Sequence, residues 1–121
     1  MASDPNLIYI AGPISDDLNY YAKFAAVEEY LTRRGHSVLN PARMFEGIAK
    51  SGASYRKIME LCRAVVQKAD IIVLLPGWQG SKGANTELAV YSHGRHFPRV
   101  LYVDLVRDRR SGRWIVHPTH E

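Results

Sequence analysis

Cysteine is almost absent from this chain: Cys62 stands alone, so no intrachain disulfide can staple the fold. A lone thiol points to a reducing compartment, and a cytoplasmic location is expected. No apolar run approaches the roughly 20 residues of a membrane-spanning helix, so no membrane partner is expected. The opening residues, Met1 to Asn6, carry an aspartate and a proline where a secretory leader needs basic and then apolar residues. His93 and His96 flank Gly94, and His117 and His120 lie near the end; these read as surface histidines without the company of metal ligands. No metal and no organic cofactor is expected. A Walker-type phosphate string, a Ser-His-Asp constellation, internal repeats and low-complexity stretches are missing as well.

What is present suits one compact domain over residues 1–121, since 46% of the residues are hydrophobic. A chain of this size can bury a core without a metal or a disulfide. The formal charge of +4 mildly favours an anionic partner, phosphate above all. Apart from Arg107, Arg109, Arg110 and Arg113, the basic residues are scattered. A nucleic-acid polymer is therefore not expected as a partner.

Along the chain, strand and helix signals alternate. Leu7 to Ala11 is a buried strand closed by Gly12-Pro13. Asn19 to Arg34 has helical period, with Tyr20, Phe24, Val27 and Leu31 on one face and Gly35 as its left-handed cap. Ser37 to Leu39 is a second strand, ended by Asn40-Pro41. Ala42 to Ser54 reads as a loop with room for a helical turn, and Tyr55 to Lys68 as a helix. Asp70 to Leu75 is continuously apolar after its first residue, as a central parallel strand should be. A loop from Trp78 to Gly83 leads to a helix from about Ala84 to Ser92. Val100 to Val106 is a fourth strand, and Arg113 to Val116 a possible fifth, joined to it by a charged turn at Asp108 to Gly112 as a possible hairpin. The expected fold is α/β: a doubly wound, flavodoxin- or Rossmann-like domain with parallel order 2-1-3-4 and the fifth strand at an edge. Ligands of such sheets bind beyond the carboxyl ends of the strands, where the winding reverses. That places Gly12, Pro13, Ile14 and Ser15 beside the loop from Gly77 to Gly83.

Within those loops Glu87 is the outstanding residue. A carboxylate near a helix N-terminus is favoured in its charged form, and a charged carboxylate in a crevice can attack an electrophilic carbon. The plainer reading is that Glu87 only complements the helix dipole. Ser81, Lys82, Gly83 and Ala84 could offer backbone N–H groups to a phosphate or sugar, or could be a connector capped by Ser81. Tyr9 is directed from the first strand toward the same crevice, or else is a core tyrosine. Trp78 could stack on a base, or could seal the edge of the core. Cys62, beside Leu61 and Val65 on an apolar helix face, reads as core.

Together, Tyr9 to Ser15 (YIAGPIS), Ala69 to Trp78 (ADIIVLLPGW) and Ser81 to Glu87 (SKGANTE) resemble the nucleoside 2-deoxyribosyltransferase-like superfamily. The likeness is to a branch of short proteins, many from phages and prophages, and it spans about Leu7 to Val103. It implies a nucleoside or nucleoside 5′-monophosphate as the small-molecule partner and Glu87 as the nucleophile on the anomeric carbon. Tyr9 and Gly12 match the family's strand-one residues, and Ser81 matches its serine or aspartate. The resemblance further implies a homo-oligomer whose neighbour completes the pocket. One departure stands out: characterised members carry an aspartate that helps protonate the base where this chain has Cys62. Asp16 or Asp17 is the expected substitute; Glu60 is turned about 200° away on its helix. Three readings follow: N-glycosidic cleavage or exchange, a catalytically silent nucleotide-binding module, or a structural or interaction protein with a relic pocket.

Overall fold

The computed structural model describes residues 6–15 and 17–119. In chain order the elements are β1 (Leu7–Ala11), α1 (Tyr20–Arg33), β2 (Ser37–Leu39), α2 (Pro41–Met44), α3 (Glu46–Lys50), α4 (Tyr55–Val66), β3 (Ile71–Leu74), α5 (Lys82–Ser92), β4 (Val100–Arg107) and β5 (Trp114–Thr119). A single 3-10 turn, Trp78–Gly80, precedes α5.

Side-chain alternation along the two central strands sets the layers. Ile8 and Ile10 of β1 join Ile71 and Val73 of β3 on one face, where Phe24, Val27 and Leu31 of α1 cover them. Tyr9, Ala11, Ile72 and Leu74 point the other way, against Val66 of α4 and Ala84 and Tyr91 of α5. The far end of α5 is tied down by polar contacts. The Tyr91 hydroxyl donates to the Asp70 carbonyl at 2.6 Å and accepts from the Arg99 N–H at 3.0 Å.

The sheet order is β2-β1-β3-β4-β5: mixed, and not simply the parallel 2-1-3-4, because the possible terminal hairpin is formed and adds an antiparallel strand. β1 pairs in parallel with β2 and β3, and β3 with β4, whereas β5 runs antiparallel to β4. The reason is the short connection from Asp108 to Arg113. A parallel return needs a crossover of a dozen or more residues, while a tight turn can only make a hairpin. The Ser111 hydroxyl donates to Asp108 at 2.6 Å, and Gly112 takes a positive φ of 73° to close that turn. The strand also runs past the expected Val116, to Thr119. The sheet curls around α1, which packs against β5 as well as β2.

Three side-chain caps account for most of the remaining boundaries. Asn40 accepts from the Arg43 N–H, with Pro41 at the first helical position, so α2 starts where a loop was expected. Ser54 accepts from Lys57 at the start of α4. Ser81 accepts from the Ala84 N–H, which starts α5 at Lys82 rather than Ala84. Among the described residues, no helix is long and apolar enough to cross a membrane.

Candidate active site

The carboxyl ends of β1 and β3 approach closely enough to require glycine. A Cβ added to Gly12 would lie 2.8 Å from the Leu75 Cβ. On the other loop Gly77 has a φ of +86°, and its Cβ would meet the Pro13 ring at 3.2 Å. The two loops thus lock together and leave the start of α5 facing the space above them.

That space is a cleft of about 550 Å³, within the range of small-molecule sites. Gly12, Pro13, Ile14 and Ser15 form one wall, and Ser81, Lys82, Gly83 and Ala84 another. Pro41, Ala42, Phe45 and Glu46 from α2 and α3 supply a third, with Tyr20 beside them. The fourth, from α4, has Tyr55, Ile58, Met59 and Cys62. The wall from α2 and α3 was missed in the sequence, because segments so short hold too few turns to display a period; α4 was read as a helix, but of its cleft residues only Cys62 was singled out. The proline-led Asn40-Pro41 pair, a cap followed by a first helical residue, was the available signal.

Glu87 lies at the floor of this cleft and is only 6% exposed. Its Oε2 accepts a hydrogen bond from the hydroxyl of Tyr9, which is wholly buried beneath. Since α5 begins at Lys82, Glu87 falls in the second turn, beyond the reach of the dipole that decays within the first. Burial wins instead and pushes the carboxyl up to about 7, with the Tyr9 hydrogen bond pulling back the other way. The expectation of a carboxylate held firmly ionised by the helix end is corrected accordingly. Burial, and then the neighbouring Glu87, also raise the Tyr9 phenol. Cys62 lies beside the same hydroxyl, and burial pushes its thiol up to about 11. Near neutral pH it is therefore held as the neutral thiol.

Trp78 corrects a second expectation. It does not line the cleft; it packs on Tyr102 of β4, ring centroids 6.1 Å apart, and seals that side of the core. Asp16 lies outside the described residues, as does His120. Asp17 is engaged elsewhere: it accepts from Lys23 at 2.7 Å and from the Asn19 N–H at 2.8 Å. Those contacts hold it below the usual carboxylate range, so it is no ready proton donor. Glu60 stays turned away, opposite Arg56 at 3.6 Å. Glu46 is the second carboxylate on the cleft, but Lys50 and the Tyr21 hydroxyl hold it ionised, below its ordinary value. Among the described residues, no group of three or more histidines, cysteines or carboxylates is placed to hold a metal.

Chemically, the cleft offers one buried carboxyl balanced near neutrality, a phenol aimed at it, and the Ser81-capped start of α5. A search of curated proteins and one of solved structures each returned no match. A family model described as a domain of unknown function (DUF4406) matches residues 6–96, a span that holds every cleft residue and stops short of β4. Its description assigns no activity, and its coverage identifies this chain as a member of the DUF4406 family.

Proposed function

We propose that this chain cleaves or exchanges the N-glycosidic bond of a nucleoside or nucleoside 5′-monophosphate, on a doubly wound, Rossmann-like frame. The observation that carries this reading is the pairing of buried Glu87 with the Tyr9 hydroxyl at the floor of a cleft of nucleoside size. In its ionised form, a Glu87 oxygen attacks the anomeric carbon as the bond from that carbon to the base nitrogen breaks. The electron pair leaves with the base, which takes up a proton from solvent water in the open cleft. Water, or a second base, then displaces Glu87 from the sugar, as in retaining glycosidases. Tyr9 positions the carboxylate, while Ser15, Ser81 and Gly83, which line the cleft, would hold sugar or phosphate; Ala84, whose N–H is taken by Ser81, would only pack against it. A homo-oligomer in the cytoplasm belongs to the same proposal.

The second reading, a silent nucleotide-binding module, is favoured by one feature. The position at which the resembled enzymes carry an acid is here a neutral thiol, Cys62. Incubation with a panel of deoxynucleosides and their monophosphates separates the two. Release of free base that disappears in Glu87→Ala is the expected result. A ligand that raises the melting temperature and is recovered intact would replace catalysis with binding. No release and no thermal shift from any member of the panel would remove both.

A further inference from the structure

On the far side of the molecule from α5, a trough of about 820 Å³ runs between α1 and β5. Its floor is small and apolar, with Ala22, Ala25 and Ala26 facing Val116. Its ends are basic. Arg34 lies where α1 stops, and its guanidinium stacks on the Tyr30 ring at 3.5 Å. Arg107, Arg109, Arg110 and Arg113 gather at the β4–β5 turn, and all five of these arginines are exposed. Among the described residues, none of the five has a carboxylate partner, whereas Lys23 and Arg33 nearby are paired with Asp17 and Glu29. Five unpaired arginines thus flank the trough, and the carboxylate among its lining residues, Glu29, is already engaged by Arg33.

The trough follows an open sheet edge. The Asp108 N–H donates to the Arg113 carbonyl at 2.7 Å, which makes that pair a hydrogen-bonded one. Pairs alternate in an antiparallel ladder, so Ile115, His117 and Thr119 turn their backbone groups to β4. Trp114 and Val116 turn theirs outward. Pro118 also faces out, with a carbonyl but no N–H, and this ends the usable edge. No strand among the described residues pairs with β5 on that side.

We propose that this edge takes an acidic, extended peptide segment as a sixth strand on β5, with its carboxylates on the flanking arginines. Only a polypeptide offers both the donors and the acceptors that Trp114 and Val116 leave open; a nucleic acid would meet the arginines but not the edge. A strand of six residues spans about 20 Å. The 14 residues of α1 span about 21 Å, so one such segment reaches from one basic end to the other. A second copy of this edge, which would have to pair antiparallel, is disfavoured because each arginine-rich turn would face the Arg34 end of the other copy's trough, like charge against like charge.

The test uses a fluorescently labelled octapeptide alternating glutamate and valine, its lysine–valine counterpart, and a thymidine oligonucleotide. Anisotropy should report binding of the glutamate peptide alone. Hydrogen exchange at the Trp114 and Val116 amides should slow when it binds. R109E/R110E/R113E should weaken binding about tenfold at an unchanged melting temperature, from three exposed charge contacts. Should the triple variant not fold, R113E alone carries the same sign. Absence of binding, binding without protection of those two amides, or preference for the oligonucleotide would overturn the proposal.

Discussion

Near neutral pH, Glu87 divides between two protonation states, and its burial has a cost that can be measured. A carboxyl raised from 4.5 to about 7 in the folded protein binds its proton more tightly there than in the unfolded chain. The stability it contributes is complete below about pH 4.5 and is lost as the pH climbs to about 7, a difference of roughly 3 kcal/mol. Glu87→Gln, which can still accept from Tyr9, should remove that slope. Urea denaturation between pH 5 and 8 should show the variant gaining on the wild type toward the alkaline end; parallel curves would contradict the burial argument. Base release, where it is observed, should rise with pH to a plateau above about 7. Tyr9→Phe should move that midpoint upward, because the lost hydrogen bond was holding the carboxyl down. A midpoint moved downward, or left in place, would deny Tyr9 its role. The positions of Glu87 and Tyr9 were legible in the sequence, through strand alternation and a glycine-rich loop ahead of a helix. The protonation state of Glu87 was not, because it depends on how much chain from α2 to α4 closes over it. Trp78 was equally open: an aromatic after a strand can turn to a cleft or to the core, and Tyr102 decided it.

At the scale of elements, the caps and close approaches matter more than propensity. Helical period gave α1 and α4 to within two residues at each end, and continuous burial gave β3. Short α2 and α3 escaped because Asn40-Pro41 serves equally as a strand-ending turn and as a cap with its first helical residue. The junction of β1 with the Leu75–Gly77 loop is the least forgiving. In Gly12→Ala the new methyl would stand 2.8 Å from a Leu75 carbon that belongs to the core and has little room to retreat. A loss of about 1–3 kcal/mol in chemical denaturation is expected, as for other overpacked sites. A loss under about 0.5 kcal/mol, the range of ordinary surface changes, would mean that the two loops are not locked together.

For the whole molecule, the alternation of strand and helix made the α/β class and the order of the strands legible, and the short charged turn before Arg113 pointed to the terminal hairpin. The span that matches the family ends at residue 96, before β4. Yet Val103 belongs to the core cluster beneath α1, with Leu105 and Val116 packed on it. A chain cut after residue 96 should therefore lack a cooperative thermal transition by circular dichroism; a sharp transition would show that the hairpin is dispensable. The curl of the sheet around α1 also bears on how the chain reaches its native form. Lys23, in the first turns of α1, lies 4.7 Å from the ring centre of Trp114, a partner about three-quarters of the chain's length away. Contacts that span so much chain are slow to form. During synthesis α1 must wait, one flank bare, until the final hairpin has left the ribosome, and a chaperone would find its Ala22–Ala26 flank open for most of that interval.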